Sequence, residues 1–145
     1  KERAENFCKA FSIEDNLDEP IGSLSFGTKQ KVAVIGAMLH DPDVLVLDEA
    51  MNGLDPKSSK ILKTLLKDLS ARGKCVIFSS HIMEVAEDLC DRLAILYKGK
   101  IITQGTMEEL KGGKNNQNLE DIFLGITGDN EIDKIVEKLR EAMKS

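Results

Sequence analysis

The sequence predicts an α/β fold in which parallel strands alternate with helices. The apolar run of residues 44–47 ends in Asp48, which is typical of a strand buried on both faces of a parallel sheet. A segment with a helical apolar stripe follows, and a second apolar run covers residues 75–79. Strand, helix and strand in this order form a βαβ unit, so we expect ligands beyond the carboxyl ends of its strands.

Two helices and a connector are predicted before the βαβ unit. Residues 2–11 have the apolar spacing of a short amphipathic helix, and the acidic residues 12–22 form a turn-rich connector. A second helix is expected from Gly27 to about His40, because Pro42 disfavours helical geometry in the residue before it.

The helix inside the βαβ unit has a clear start and end. Asp55 can accept a hydrogen bond as the N-cap, and Pro56 fits the first helical turn. Gly73 follows Arg72 and is typical of a helix C-terminus.

Beyond residue 79 the pattern predicts a sheet that continues as a hairpin, with flanking helices. The predicted elements are a helix over 82–90, strands over 93–97 and 100–104, short helices near 106–111 and 118–124, and a charged helix from about 130 to 144.

The composition is that of a soluble globular protein and argues against several classes of function. Of the 145 residues, 41% are hydrophobic and 31% are charged, and the longest apolar run, residues 32–39, is too short to cross a bilayer. A net charge of −5 is opposite to that of a domain held on nucleic acid, so nucleic acid is not an expected partner. Three cysteines without a C-x-x-C pattern predict neither a disulfide framework nor a zinc site, and favour a reducing, cytosolic compartment.

Asp48 and Glu49 are adjacent carboxylates at the carboxyl end of the first strand of the βαβ unit. Because side chains alternate along a strand, the two cannot point the same way, and we expect different roles. A carboxylate here suits a magnesium ion that carries substrate phosphates, and its neighbour suits a water molecule aimed at the same phosphate. The alternative is that one carboxylate caps a helix and the other is solvated.

Two further residues allow both a functional and a structural interpretation. His81 follows a buried strand, where it can donate a hydrogen bond to a phosphate oxygen or cap the next helix. Asp55, directly before Pro56, is explained by helix capping alone.

Residues 24–31 lead into the second helix, so their backbone N–H groups and the positive helix end would face an anion placed there. An ordinary capped helix is the alternative. Residues 22–29 also read G-x-x-x-x-G-T-K, which is close to a phosphate-binding P-loop with its last two residues exchanged. We reject that interpretation, because the preceding residues are acidic, contain Pro20 and form no buried strand.

Four segments, in this order, resemble the motifs of the ATP-binding-cassette (ABC) ATPase domain. LSFGTKQ at 24–30 resembles the family signature LSGGQ, and VLVLDE at 44–49 resembles the Walker B strand with its following glutamate. NGLD at 52–55 resembles the D-loop, and SSH at 79–81 ends in a histidine like that of the family's switch region. The order and the separations of the four segments make the resemblance specific.

The resemblance implies roles for three residues around ATP and Mg²⁺. Asp48 would support the magnesium ion, and Glu49 would orient and polarise the attacking water. His81 would contact the γ-phosphate.

The resemblance also implies a second nucleotide-binding domain. Ser25 and Gly27 would contact the γ-phosphate of ATP bound to the opposite subunit, and Asp55 would lie at the dimer interface. Phe26 stands where the family has its first signature glycine, and Thr28 stands where it has glutamine.

By resemblance, the fold is a partial P-loop NTPase fold with three segments. Residues 1–40 correspond to part of a helical subdomain with the signature, 41–111 to the C-terminal half of the ATPase core, and 112–145 to a C-terminal helical extension. The family's Walker A loop precedes the signature, and residues 1–23 do not contain it. We therefore expect the isolated 145-residue chain to be a poor ATPase.

The function implied is that of an ATP-hydrolysing subunit of an ABC transporter. It would work with a transmembrane permease subunit and lie at the cytoplasmic face of the membrane. LEDIFLGITG at 119–128 is similar to the C-terminal end of ATPase subunits of bacterial exporters, which favours export. The alternatives are a soluble ABC-class ATPase of translation or DNA repair, and an interaction module without catalysis.

Overall fold

A computed structural model describes residues 1–112, 117–127 and 132–143 of the chain. They divide into two units, Lys1–His81 and Ile82–Ser145. The predicted α/β class is confirmed. No helix within the described ranges is both long and apolar enough to span a membrane.

The first unit contains all the residues for which the sequence predicts a role in the site. Its elements are helix α1 (Glu2–Ala10), two 3₁₀ turns (Glu14–Asn16 and Ile21–Ser23), helix α2 (Phe26–Met38), strand β1 (Val44–Asp48), helix α3 (Pro56–Ala71) and strand β2 (Cys75–Ser79). Except for the 3₁₀ turns within the connector, these elements match those predicted, with ends that shift by one or two residues.

Each of the two helices that flank β1 begins at a side-chain cap; the cap at Asp55 is predicted from the sequence, whereas none is predicted for α2. The Ser25 side chain accepts a hydrogen bond from the Thr28 N–H at the start of α2. Asp55 accepts one from the Ser58 N–H at the start of α3. Gly73 follows the end of α3 with a φ of +81°, a conformation that glycine adopts without strain.

β1 and β2 are parallel neighbours, as the βαβ unit predicts. Their register pairs Val44 with Cys75 and Asp48 with Ser79. The carboxyl ends of both strands therefore lie side by side, and the residues after them share one edge of the sheet.

The prediction that these strands are buried on both faces is wrong for the described residues. Leu45 is 4% exposed, whereas its neighbour Val46 is 67% exposed, and Ile77 on β2 is also exposed. The buried face packs on helices α2 and α3, and the two-stranded sheet has no described layer on its other face. The continuous apolar run of β1 therefore forms a strand that is buried on one face only.

The core of the first unit lies between this sheet and the helices. The α3 stripe contributes Leu62, Leu66 and Leu69, which are all buried. Phe11 and Val34 are among the most buried large side chains and belong to the α1 end and to α2.

The second unit is built on the predicted hairpin. Its elements are helix α4 (Met83–Leu89), strands β3 (Leu93–Tyr97) and β4 (Lys100–Gly105), and helices α5 (Met107–Lys111), α6 (Leu119–Thr127) and α7 (Ile132–Ala142). β3 pairs antiparallel with β4 across a tight turn, and the parallel pair forms a separate sheet in the described chain. The expected single sheet is therefore wrong there: β3 is hydrogen-bonded to β4, and among the described residues neither strand pairs with β1 or β2. Positions 130, 131 and 144 of the predicted last helix lie outside the described residues.

Candidate functional site

Ser79 joins the two carboxylate positions at the end of the parallel pair. Its hydroxyl donates a hydrogen bond to Asp48 Oδ1 and accepts one from the Glu49 N–H at 3.0 Å. The register that pairs Asp48 with Ser79 produces this contact. The Ser79 hydroxyl thereby fixes the position of Asp48 relative to the start of the following loop.

Glu49 turns the chain out of β1 and directs its carboxylate to different partners. Its φ of +47° lies in the left-handed region, which is uncommon for a residue with a side chain. Glu49 Oε2 lies 2.9 Å from His81 Nδ1 and accepts a hydrogen bond from Asn52 Nδ2 at 3.2 Å. Asp48 and Glu49 therefore face different groups.

Asp55 has a helix-capping role and an ionic partner at once. Its carboxylate accepts hydrogen bonds from the Ser58 N–H at 2.9 Å and the Ser58 hydroxyl at 2.7 Å, and Oδ2 lies 2.7 Å from Lys31 Nζ. The hydrogen bond from Lys31, assisted by those from Ser58, holds the pKa of the Asp55 carboxyl well below its usual range. Asp55 is therefore an anion throughout the neutral pH range.

The start of α2 packs against the turn at Gly53. A Cβ atom on Gly27 would lie 2.5 Å from the Gly53 carbonyl oxygen, so this approach requires glycine at position 27. The Phe26 ring lies over Gly53, where a Cβ would be 2.5 Å from Phe26 Cδ1. The Ser25 hydroxyl, in turn, caps α2 and shares a hydrogen bond of 2.8 Å with Thr28 Oγ1.

The predicted site residues form two groups within the first unit. Asp48, Glu49 and His81 converge at the carboxyl ends of β1 and β2. Ser25 and Gly27 belong to the start of α2, which meets the loop of residues 49–55 through Gly53. Asp55 ends that loop and begins α3.

Sequence reasoning missed the roles of Ser79, Asn52 and Lys31 in this arrangement. The polar cluster after β2 was visible in the sequence, and the parallel register identifies Ser79 as the partner of Asp48. Asn52 follows Glu49 by three residues, a spacing that suits a turn. Lys31 is 24 positions from Asp55, and no local pattern indicates their contact.

The oxygen ligands near Asp48 fit a magnesium ion that arrives with a phosphate. Groups of three or more His, Cys, Asp or Glu side chains able to hold a metal are absent from the described part of the chain. Mg²⁺ is commonly held by one or two carboxylates while substrate phosphates and water supply the other ligands. Asp48, an exposed carboxylate beside a hydroxyl, matches that donor set.

Comparison with known proteins identifies the class of this fold. Residues 9–87 match the family model described as "AAA domain, putative AbiEii toxin, Type IV TA system". A solved structure titled "Structure of ATP binding subunit of ABC transporter" superimposes with a TM-score of 0.81 at 29% identity, over 87% of this chain and 53% of that one. The chain is thus part of an α/β ATPase-type domain.

Curated relatives narrow the family. The chain is 37% identical over 124 residues to the ABC transporter ATP-binding protein NatA of Bacillus subtilis. The aligned residues make up 86% of this chain and 50% of NatA. It is 42% identical over 98 residues to the Nod factor export ATP-binding protein I of Burkholderia orbicola, over 68% of this chain and 32% of that protein. The chain belongs to the ABC ATPase family, and it spans half or less of the length of these relatives.

Proposed function

We propose that this chain supplies the water-activating half of an ATP-hydrolysing site in an ABC transporter subunit. The observation that carries the proposal is the convergence of Asp48, Glu49 and His81 at one sheet edge, with Ser79 joining the first two. The reaction is attack of water on the γ-phosphate of ATP. Such a reaction depends mainly on positioning and electrostatic stabilisation, which these residues are placed to provide.

Asp48 is the residue proposed to support Mg²⁺. A bound Mg²⁺ would neutralise charge on the ATP phosphates and help to align them. The hydrogen bond from Ser79 holds Asp48 Oδ1 and orients the carboxylate at the end of β1.

Glu49 is proposed to accept a proton from, or polarise, the attacking water. Its carboxylate is held by Asn52 and His81, so it is oriented before any substrate binds. A preoriented base removes part of the entropy cost of bringing the water into line.

His81 is proposed to contact the γ-phosphate from the other side of Glu49. A ring that donates through Nδ1 to Glu49 carries its second nitrogen, Nε2, on the far edge. Nε2 is therefore the ring atom proposed to face the phosphate.

Ser25, Gly27 and Asp55 are proposed to serve a second nucleotide-binding domain. The start of α2 presents backbone N–H groups and the positive end of a 13-residue helix, which suit a phosphate of ATP bound to the opposite subunit. The Phe26 ring lies over Gly53, so it does not occupy the space before the N-terminus of α2. Asp55 would lie at the interface between the two domains.

The proposed partner of the assembled ATPase is a transmembrane permease, with the ATPase at the cytoplasmic face of the membrane. Export is the proposed direction, supported by the name of the Nod factor export relative and by the similarity of the sequence of residues 119–128 to exporter subunits. By the resemblance to the ABC ATPase domain, we propose that residues 1–40 belong to the helical subdomain and residues 41–111 to the ATPase core. Residues 112–145 are proposed to form a C-terminal extension.

Substitution of Glu49 by glutamine tests the proposal in the ATP-hydrolysing protein that contains this chain. Glutamine keeps the size of the side chain and removes the carboxylate, so we expect hydrolysis to fall about 100-fold or more while ATP binding persists. Steady-state phosphate release and equilibrium ATP binding measure the two effects. Glu14→Gln, at an exposed position in the connector, is the matched control and should hydrolyse ATP normally. Normal hydrolysis by Glu49→Gln would contradict the role of Glu49.

A further inference from the structure

The loop that carries Glu49 is tied to helix α2 by two side chains that the proposed reaction does not use. We call residues 49–55 the base loop. Gln30 Nε2 donates a hydrogen bond to the backbone oxygen of Glu49, at 3.4 Å. Lys31 Nζ lies 2.7 Å from Asp55 Oδ2, at the opposite end of the base loop. Two consecutive residues of α2 thus hold both ends of the base loop.

Lys31 is fixed on more than one side. Its ammonium group donates a second hydrogen bond to the Phe11 backbone oxygen at 3.0 Å, and its side chain is only 15% exposed. Phe11 is buried at the end of α1. The ammonium group therefore connects three elements: the end of α1, helix α2 and the start of α3. A charged hydrogen bond in a partly buried position is stronger than one in open solvent.

The base loop needs such restraint because of its backbone conformation. Glu49 and Gly53 both have positive φ angles, +47° and +73°. Within the loop, the Asn52 N–H donates to the Glu49 carbonyl and the Leu54 N–H donates to the Met51 carbonyl. A loop with few backbone hydrogen bonds of its own depends on outside contacts to keep one conformation.

We propose that Lys31 is a positioning residue, which together with Gln30 holds the base loop so that the Glu49 carboxylate is presented in one orientation. This inference rests on the proposed role of Glu49 in ATP hydrolysis. Lys31 acts through Asp55 and the loop backbone, without touching the substrate. Loss of its ammonium group frees the loop end, so fewer molecules hold Glu49 in line with the attacking water.

The test compares Lys31→Met, Lys31→Arg and Lys60→Met. Methionine keeps the length of the side chain without its charge, and arginine restores a donor to the Asp55 carboxylate. Lys60 is the control, because its exposed side chain lies on α3, outside the base loop and outside the signature segment. Hydrogen exchange of the base-loop amides is measured in this chain, and kcat and KM for ATP are measured in the ATP-hydrolysing protein that contains it.

We expect Lys31→Met to speed amide exchange in the base loop and to lower kcat about 10- to 100-fold. KM for ATP should stay within about twofold, because the phosphate-binding groups are unchanged. Lys31→Arg should restore both values, and Lys60→Met should match the parent. Unchanged exchange, an unchanged kcat, or failure of arginine to rescue would each overturn the inference.

Gln30→Glu provides a second variant if Lys31→Met does not fold. It keeps the shape of the side chain and replaces the donor by a carboxylate, which repels the Glu49 carbonyl oxygen; the same rise in exchange and fall in kcat are expected. Glu49→Gln separates the two proposals. If that variant hydrolyses ATP normally, the proposed function fails. If it does not, and the Lys31 and Gln30 variants match Lys60→Met, only the positioning role fails.

Discussion

Glu49 has a backbone conformation that a residue with a side chain rarely adopts, and its neighbours hold it there. A left-handed φ costs about 1–2 kcal/mol for a residue other than glycine. The Glu49 N–H and carboxylate are both hydrogen-bonded, and its carbonyl accepts from the Asn52 N–H. This conformation turns the carboxylate away from the side of the strand occupied by Asp48, toward His81.

The contact between Gly27 and Gly53 predicts an unusual effect of substitution by alanine. In a helix, alanine is normally more stable than glycine by up to about 1 kcal/mol. At position 27, however, the new methyl group would lie 2.5 Å from the Gly53 carbonyl oxygen. We expect Gly27→Ala to lower the free energy of unfolding by about 1–3 kcal/mol, measured by urea denaturation of this chain.

Gly36 in the same helix is the control, since a Cβ there meets no atom within 4 Å. Gly36→Ala should raise the free energy of unfolding by about 0.5–1 kcal/mol. If Gly27→Ala stabilised the chain as much as Gly36→Ala does, the close packing of α2 on the turn at Gly53 would be wrong.

Single residues also show where prediction from sequence stops. The capping role of Asp55 could be predicted, because a cap and its partner lie three residues apart. The ion pair of Asp55 with Lys31 could not, since it depends on how α2 packs beside α3. The roles of Asp48, Glu49 and His81 stay predictions that depend on the family resemblance.

At the scale of the element, β1 has one buried face and one exposed face. Leu45 and Leu47 are buried, and Val44 and Val46 are more than half exposed. Leu45→Ala should therefore lower the free energy of unfolding by about 2–5 kcal/mol, because it removes buried methyl groups and leaves a cavity. Val46→Ala should lower it by less than about 1 kcal/mol.

Urea denaturation of the two variants measures this difference. Equal losses of stability would indicate that Val46 is covered in solution and that β1 is buried on both faces. The comparison is valid when the two variants show the same slope of unfolding free energy against urea concentration, because a change in that slope would indicate an altered unfolded state.

The sequence could predict that β1 is a strand and could not predict how many faces are covered. An apolar run is compatible with burial on both faces, but the number of covered faces depends on which elements pack there. The start of α3 was predicted well because its signal is local, with Asp55 as the cap directly before Pro56. The separation of the hairpin from the parallel pair depends on tertiary hydrogen bonding and has no local signal.

At the scale of the whole molecule, two paired carboxylates link folding to pH. The hydrogen bond from Lys74 and the charge of Arg72 lower the pKa of Asp41, and Lys31 and Ser58 lower that of Asp55. A carboxyl whose pKa is lower in the folded state stabilises the fold above its unfolded pKa of about 3.9. That stability is lost as the pH falls through the folded pKa.

We therefore expect the urea midpoint of the chain to fall as the pH is lowered from about 5 toward about 2, because the carboxyls of the unfolded chain take up protons across this range. Asp41→Asn and Asp55→Asn should each lower the midpoint at pH 7 and reduce its dependence on pH below about 4. Variants that kept the parent's full pH dependence would contradict the pKa assignments.

The order of elements and the α/β class were predictable for the described residues, because both depend on apolar periodicity and on turn residues. The division after His81 was not, since it follows from which residues pack together and not from a linker composition. The close contact of Phe26 with Gly53 sets a limit on sequence change within this family member. While the Phe26 ring keeps this position, a side chain at position 53 would collide with it. Replacement of Gly53 therefore requires the Phe26 ring to move, whereas position 26 can change while position 53 stays glycine.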